Sequence, residues 1–360
     1  MKTFLLSGFI AAMLFSNRIS LPAPAGNSQR ASHGLFDTDD VLNIVLTGNI
    51  RDLLNDRTGE EPKSFPIVFK YKDQAAAEDS FSITVKTRGH FRRIKSNCDF
   101  PPLLLDFKKT SIPPSSIFAG LPQLKLEVPC RGDEFMVREW LVYKLYNLLT
   151  PLSFRARLVK TTLQDAGHQK TTYLFYGILL ENDKQMASRN DMILVKRKMK
   201  PQQTVKDNFL KMAMFEYLIG NTDWSVEYLQ NINLLAHDSL SVPIAIPHDF
   251  DLSGIVNCPY AMPSEELLMN SVRERRYRGY CTGDMKAFDD AIAFYNKKKK
   301  DIYNLYTNCG LLEAKYLKST LKYLDDFYAT INNQKTFAKE FGYPCDKNGT
   351  GNVIVKGLKQ

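Results

Sequence analysis

Gly220-Asn221-Thr222-Asp223-Trp224 and His248-Asp249-Phe250-Asp251 are the stretches of this chain whose residue types point to chemistry. The two acidic groups stand 26 residues apart (249 minus 223). Asn231 and Asn233 lie between them, and the apolar run Ile244-Ala245-Ile246 precedes the second. Carboxylate and amide oxygens are hard donors of the kind that hold magnesium. Phosphoryl transfer needs such a cation, basic groups for the phosphate oxygens, and a carboxylate to orient the acceptor hydroxyl. Asp223 is the candidate for that last role, although Asn221-Thr222-Asp223 also reads as a helix-ending turn. Asn231 and Asn233 flank Ile232 on an expected strand and so share one face. Asp249 and Asp251 share a face too if the chain stays extended. Acids so close repel unless a cation lies between them.

The basic half of such a site has several candidates. Lys125 sits on an expected strand ahead of a long helix that carries Glu139. A strand lysine oriented by a helix glutamate is a known way to hold phosphates. Lys86 is the rival for Lys125, and Glu134 for Glu139. Arg88-Gly89-His90-Phe91-Arg92-Arg93 follows another strand. Its glycine permits close approach to a ligand, and Arg88 and Arg92 suit phosphate oxygens. A second cluster, Arg273-Glu274-Arg275-Arg276-Tyr277-Arg278, reads equally as an acidic-substrate surface or an exposed helix end. No Ser-His-Asp, Cys-His or Gly-x-Ser-x-Gly arrangement stands out, and no cysteine pair has zinc spacing.

The elements that must position these groups change along the chain. Residues 40–54 suit a strand or a short helix equally. Period-two alternation predicts strands at 65–71, 81–87, 103–107 and 124–128. Helical spacing predicts a helix over 134–149, ended by Pro151. A hairpin follows, 156–163 with 171–180, turning at Asp165–His168. Helices are expected at 207–219, 265–275, 286–296 and 312–332, with short strands at 231–235 and 242–246 and a turn-rich tail from Asn333. Lys297–Lys300 reads as a solvated face.

Several of these features together resemble the spore-coat CotH kinase family, especially its secreted bacterial members. They are Arg88-Gly89, the strand Leu103–Phe107, Lys125, the helix with Arg138-Glu139, and the hairpin ending Leu179-Leu180-Glu181. Gly220-Asn221-Thr222-Asp223 and Asp249-Phe250-Asp251 complete the likeness. It covers roughly residues 60–300. It implies an α+β, two-lobed protein-kinase-like fold, with a strand-rich N-lobe at 61–185 bearing one long helix and a helix-rich C-lobe at 186–345. It also implies ATP and magnesium as cofactors and phosphate transfer to a protein hydroxyl. Asp223 would be the catalytic acid, Asn231 or Asn233 with Asp249 the metal ligands, and Lys125 the phosphate-binding lysine. Asp251 joins the metal set, while Glu139, Arg88 and Arg92 join the nucleotide set. Eight or ten residues separate Asp223 from the asparagines, so 224–230 must loop out. Two other readings of the same scaffold are a non-catalytic binding or envelope protein and a metal-dependent hydrolase.

Compartment is read from the ends and the cysteines. Lys2, the apolar stretch Phe4–Phe15 and Leu21-Pro22-Ala23-Pro24-Ala25-Gly26 form an expected export signal spanning 1–25, cut between Ser16 and Gly26. A lead-in at 26–60 and a tail at 346–360 flank the lobes. Periplasm, cell surface or medium are the expected destinations, with no membrane span. Six cysteines suit disulfides in an exported chain. Their pairing is open, with the sequence-local set Cys98–Cys130, Cys258–Cys281 and Cys309–Cys345 the simplest. The balance of 48 Lys and Arg against 39 Asp and Glu gives +9. That excess suits an ordinary exported protein better than a nucleic-acid binder; the protein acceptor expected as partner is what the resemblance implies.

Overall fold

The computed structural model describes residues 34–59, 61–72, 79–167 and 172–347, with Met1. The export signal, most of the tail and the tip of the 165–168 turn lie outside the described residues. Strand β1 (Leu42–Gly48) buries Leu42, Ile44 and Leu46 on one side. Helix α1 (Ile50–Asn55) follows at once, capped by the Asn49 side chain, which accepts from Asp52 N. The ambiguous text of 40–54 is therefore both a strand and a short helix. Then come β2 (Phe65–Lys72), β3 (Asp79–Thr87), β4 (Leu103–Asp106), β5 (Gln123–Glu127), α2 (Glu134–Leu149), β6 (Ala156–Asp165) and β7 (Thr172–Leu180).

These seven strands close into a barrel in the order β1-β2-β3-β4-β5-β7-β6. Every pair is antiparallel except β1 with β6, which run parallel from Leu42↔Val159 to Gly48↔Asp165. Alternation fills the interior with Ile44, Phe69, Val85, Leu105, Leu126 and Leu179. Phe69 meets Phe107 and Phe118 edge to face there. The opposite side of the same strands turns outward. Lys86, Leu104 and Lys125 stand in one cross-strand row on it.

The remainder comprises α3 (Asp183–Arg189), β8 (Ile193–Val195), α4 (Lys206–Ile219), β9 (Ile232–Ala236), β10 (Ile244–Pro247), α5 (Asp289–Thr307), α6 (Ala314–Ile331) and α7 (Gln334–Phe341). Strands β10, β9 and β8 make a small antiparallel sheet. A second core joins Leu158 of β6 and Ile178 of β7 to Leu145 of α2, Phe215 of α4, Phe250, and Phe327 of α6.

The α+β class stands, but the two-lobed protein-kinase-like fold does not: the strand-rich half is a closed, mixed seven-stranded barrel. β1, within the span read as lead-in, is what closes it. Helix α2 is not the single helix of a separate lobe. It buries residues around its circumference, from Met136 and Val137 to Tyr143 and Tyr146, in the same core as the later helices. Residues 265–275 hold only a 3-10 turn, Glu265–Leu267. The arginines beyond it spend their side chains on distant carbonyls. The span from Asn333 is not only turns, because the Asn333 side chain accepts from Thr336 N at 2.9 Å and starts α7.

Disulfides join Cys98 to Cys130 and Cys281 to Cys345, leaving Cys258 and Cys309 as thiols. The first pair is the expected one. The Cys258–Cys281 and Cys309–Cys345 pairings are corrected: α7 returns Cys345 to the stretch after the arginine cluster, while Cys258 is buried beside the acids. Two disulfides suit a chain matured in an oxidising compartment. Among the described residues no helix is long and apolar enough to cross a membrane.

Candidate functional site

Helix α4 ends at Gly220, whose φ of 68° is left-handed. Glycine is required twice over, because a Cβ there would stand 2.1 Å from the Tyr323 hydroxyl. The tight fit lets Gly254 N donate to Gly220 O at 3.1 Å and Ile255 N to Ile219 O at 2.9 Å. Those two bonds tie the stretch after α4 to the stretch after β10. The Asn221 side chain accepts from Asp223 N at 3.0 Å and turns Asp223 back toward the acids.

The loop 224–230 closes on itself through a bridge between Ser225 and Gln230. It returns Asn231 to Asp223, where Asn231 Nδ2 donates to the Asp223 carbonyl at 2.8 Å and to Oδ2 at 3.0 Å. Gln230 Nε2 donates to the other carboxylate oxygen. Asn231 has φ 51° and so stands just outside β9. It does not share a strand face with Asn233, which stays within β9. Asn231 O accepts from His248 N at 3.0 Å. Asp249 is also left-handed, at φ 63°, and its N–H donates to the Tyr143 hydroxyl at 3.0 Å. The chain is therefore not extended through Asp249 and Asp251, and a turn brings the acids together. Non-glycine residues held in this region carry strain of the kind found at functional sites.

The acids sense one another. Burial and then Asp249 push the Asp223 carboxyl up to about 6. Burial and Asp249 push Asp251, 7 % exposed, up to about 7, although Tyr260 donates to it at 2.9 Å. Glu139 on α2 is 1 % exposed, and among the described residues neither of its oxygens has a hydrogen-bond partner. Burial, Asp251 and Asp249 raise its carboxyl well above the usual range. Asp249 reaches solvent, yet desolvation by the surrounding protein, then Glu127, raises it against Arg92, Arg88 and Lys125.

The barrel supplies the cations. Arg88 and Arg92 both pair with Glu127 on the outer face of β5, Arg92 at 3.2 Å. Arg92 also donates to the Val128 carbonyl. Burial works against the Arg92 charge, but Glu127, Asp251 and Glu139 hold it protonated. Burial likewise works against Glu127, and Arg88, Arg92 and Lys125 hold its carboxyl low. The Cys98–Cys130 disulfide clamps the arginine loop to the end of β5, where Asp99 N also donates to Cys130 O at 3.1 Å. Lys125 pairs with Asp183 at 3.8 Å rather than with Glu139. Burial and Lys125 push His248 down to about 3, so it is neutral at physiological pH. Its ring lies edge-on to Phe154.

The structure thus brings Asp223, Asn231, Asp249, Asp251 and Glu139 into one acidic group facing Arg88, Arg92 and Lys125. Asn233 makes no side-chain hydrogen bond to that group among the described residues. The Arg273–Arg278 cluster is not an exposed helix end: its arginines are half-buried, and Arg273, Arg275 and Arg276 also line surface cavities. Arg273 donates to Gly254 O at 2.9 Å, Arg275 to Leu218 O at 3.1 Å and Arg278 to Thr222 O at 3.1 Å. These arginines brace the backbone that carries the acids. Glu127, the hub of the basic half, went unpredicted, although its i+2 spacing from Lys125 places both on one face of β5. Tyr143, Gln230 and Tyr260 carry no sequence signal.

No three His, Cys, Asp or Glu side chains among the described residues are already gathered as a metal cage. Magnesium does not need one, since it takes one or two carboxylates and completes its shell with water and phosphate oxygens. The unpartnered Glu139 oxygens and the mutually repelling Asp249 and Asp251 fit a hard divalent cation. No protein-family model matches the chain, and no curated protein matches it.

Proposed function

We propose that this protein is an exported, magnesium-dependent phosphotransferase that moves phosphate from ATP to a protein hydroxyl, on a barrel scaffold rather than a two-lobed one. The observation that carries this reading is the meeting of the Asp223–Asn231 pair with Asp249 and Asp251 across from a basic barrel wall. The likeness to the CotH kinase family supports it through the same residues. Asp249 and Asp251, with Asn231, would hold magnesium. When bound, that ion would join phosphate oxygens and offset their charge.

The chain's own groups divide the remaining work. Asp223, held at both oxygens by Gln230 and Asn231, is fixed in one orientation and would align the acceptor hydroxyl. Its raised proton affinity suits it to accept a proton near neutrality. Lys125 is only loosely paired at 3.8 Å and remains able to reach a phosphate. Arg88 and Arg92 are bound to Glu127, so they act as a fixed positive wall.

A thermal-shift titration with ATP and magnesium tests the reading. Wild type should gain stability by mass action, and Asp249→Ala should lose that gain. Absence of any shift in wild type would overturn the proposal. Release of free phosphate without an acceptor would move the assignment to a hydrolase.

A further inference from the structure

Beyond the acids lies a feature that the phosphotransfer reading does not use. The stretch Val195-Lys196-Arg197-Lys198-Met199-Lys200 leaves β8 as irregular chain. Met199 is buried and anchors it, while Lys196, Arg197, Lys198 and Lys200 are exposed. No Asp or Glu occurs between Asp191 and Asp207. Among the described residues Lys196, Arg197 and Lys198 form no ion pair. Lys298 of the other basic run does, with Asp301 at 3.9 Å.

Its position gives this strip meaning. β8 pairs antiparallel with β9, and Val195 faces Leu234. The chain beyond Val195 therefore heads toward the Asn231 end of β9. Lys198 confirms the direction, with its ammonium 5.6 Å from the centre of the Tyr228 ring. Tyr228 belongs to the loop 224–230 whose closing residues hold Asp223. The strip thus borders the loop that holds Asp223.

We infer that the Lys196–Lys200 strip docks an acidic peptide segment, and that the acceptor carries its hydroxyl beside Asp or Glu residues. The word acceptor rests on the phosphotransfer reading; the docking surface does not. Unpaired cations at an exposed surface attract an acidic partner and raise its rate of encounter. They also offset the repulsion that such a partner would feel from Asp223, Asp249 and Asp251.

The test is equilibrium binding of fluorescein-labelled peptides to the full chain. One peptide alternates Glu and Ser, and its control replaces Glu with Gln. The acidic peptide should bind at least about tenfold more tightly than the control, with affinity falling as salt rises. The variant K196E/R197E/K198E should lose about tenfold or more of that affinity, and K196Q/R197Q/K198Q an intermediate amount. Both variants should melt as wild type does. Equal binding of the two peptides, or undiminished binding by the Glu variant, overturns the inference. So does tighter, strip-dependent binding of a single-stranded oligonucleotide or of phosphatidylglycerol vesicles. Loss of the magnesium–ATP shift in the Glu variant would assign the strip to the nucleotide and also overturn it. Peptide binding without any nucleotide shift in wild type would keep the docking surface and remove the phosphotransfer reading.

Discussion

The two walls of the candidate site solve opposite electrostatic problems. On the barrel wall one buried carboxylate, Glu127, answers two arginines and is satisfied by them. On the facing wall Glu139, Asp249, Asp251 and Asp223 crowd together with too few protein cations, and each is pushed toward its protonated form. The first arrangement is complete without a ligand. The second meets its excess of acids with protons in the metal-free chain, and under the proposed function with a bound cation.

This contrast can be broken most severely at Asp249. Asp249→Ala should reduce phosphate transfer by about 10³-fold, read by radiolabel incorporation into the acceptor, while leaving the metal-free protein as stable as wild type or more so. On the barrel wall the sign reverses. Arg92→Ala leaves Glu127 buried with half its compensation and should cost about 3–5 kcal/mol, measured by urea denaturation. Cys98→Ser with Cys130→Ser should cost about 2–4 kcal/mol and weaken nucleotide binding, because the arginine loop is no longer clamped. Glu139→Gln removes a buried carboxyl that must take up a proton on folding, so the metal-free melting temperature should rise by a few degrees.

The smallest effect is a drift with pH. Asp251 keeps its proton up to about 7 when folded and only to about 4 when unfolded. Between those values the folded chain binds more protons, so metal-free stability should fall as pH rises through the window. Glu127, whose carboxyl is held low, contributes stability that is lost only as pH falls below the ordinary carboxylate range. Magnesium prefers the ionised acids, and its stabilising effect should grow as pH passes about 7. Scanning calorimetry at several pH values, with and without the ion, separates the two slopes. A flat metal-free profile would erase the distinction between the walls.

Much of this was legible in the residues. Helix α2 spans its expected 134–149, because apolar spacing and the stop at Pro151 are local signals. The strands from β2 to β7 follow their alternation for the same reason. Asp223, Asp249 and Asp251 stood out because adjacent acids near apolar runs are costly. The barrel did not stand out, since a β1–β6 pairing leaves no trace in nearby sequence. Glu127 was hidden because a lone glutamate on a strand looks like solvent-facing polarity until its arginines are placed. The extended geometry expected at Asp249 failed for a similar reason: Tyr143, more than a hundred residues upstream, fixes that turn.

Barrel closure has a consequence for biogenesis. The Arg157 side chain donates to the Asp40 carbonyl across a separation of 117 residues, and the parallel seam beside it joins the first strand to the sixth. During synthesis β1 must wait, with one edge unpaired, until β6 has emerged. Distant pairings of this sort slow folding and leave strand edges open to aggregation.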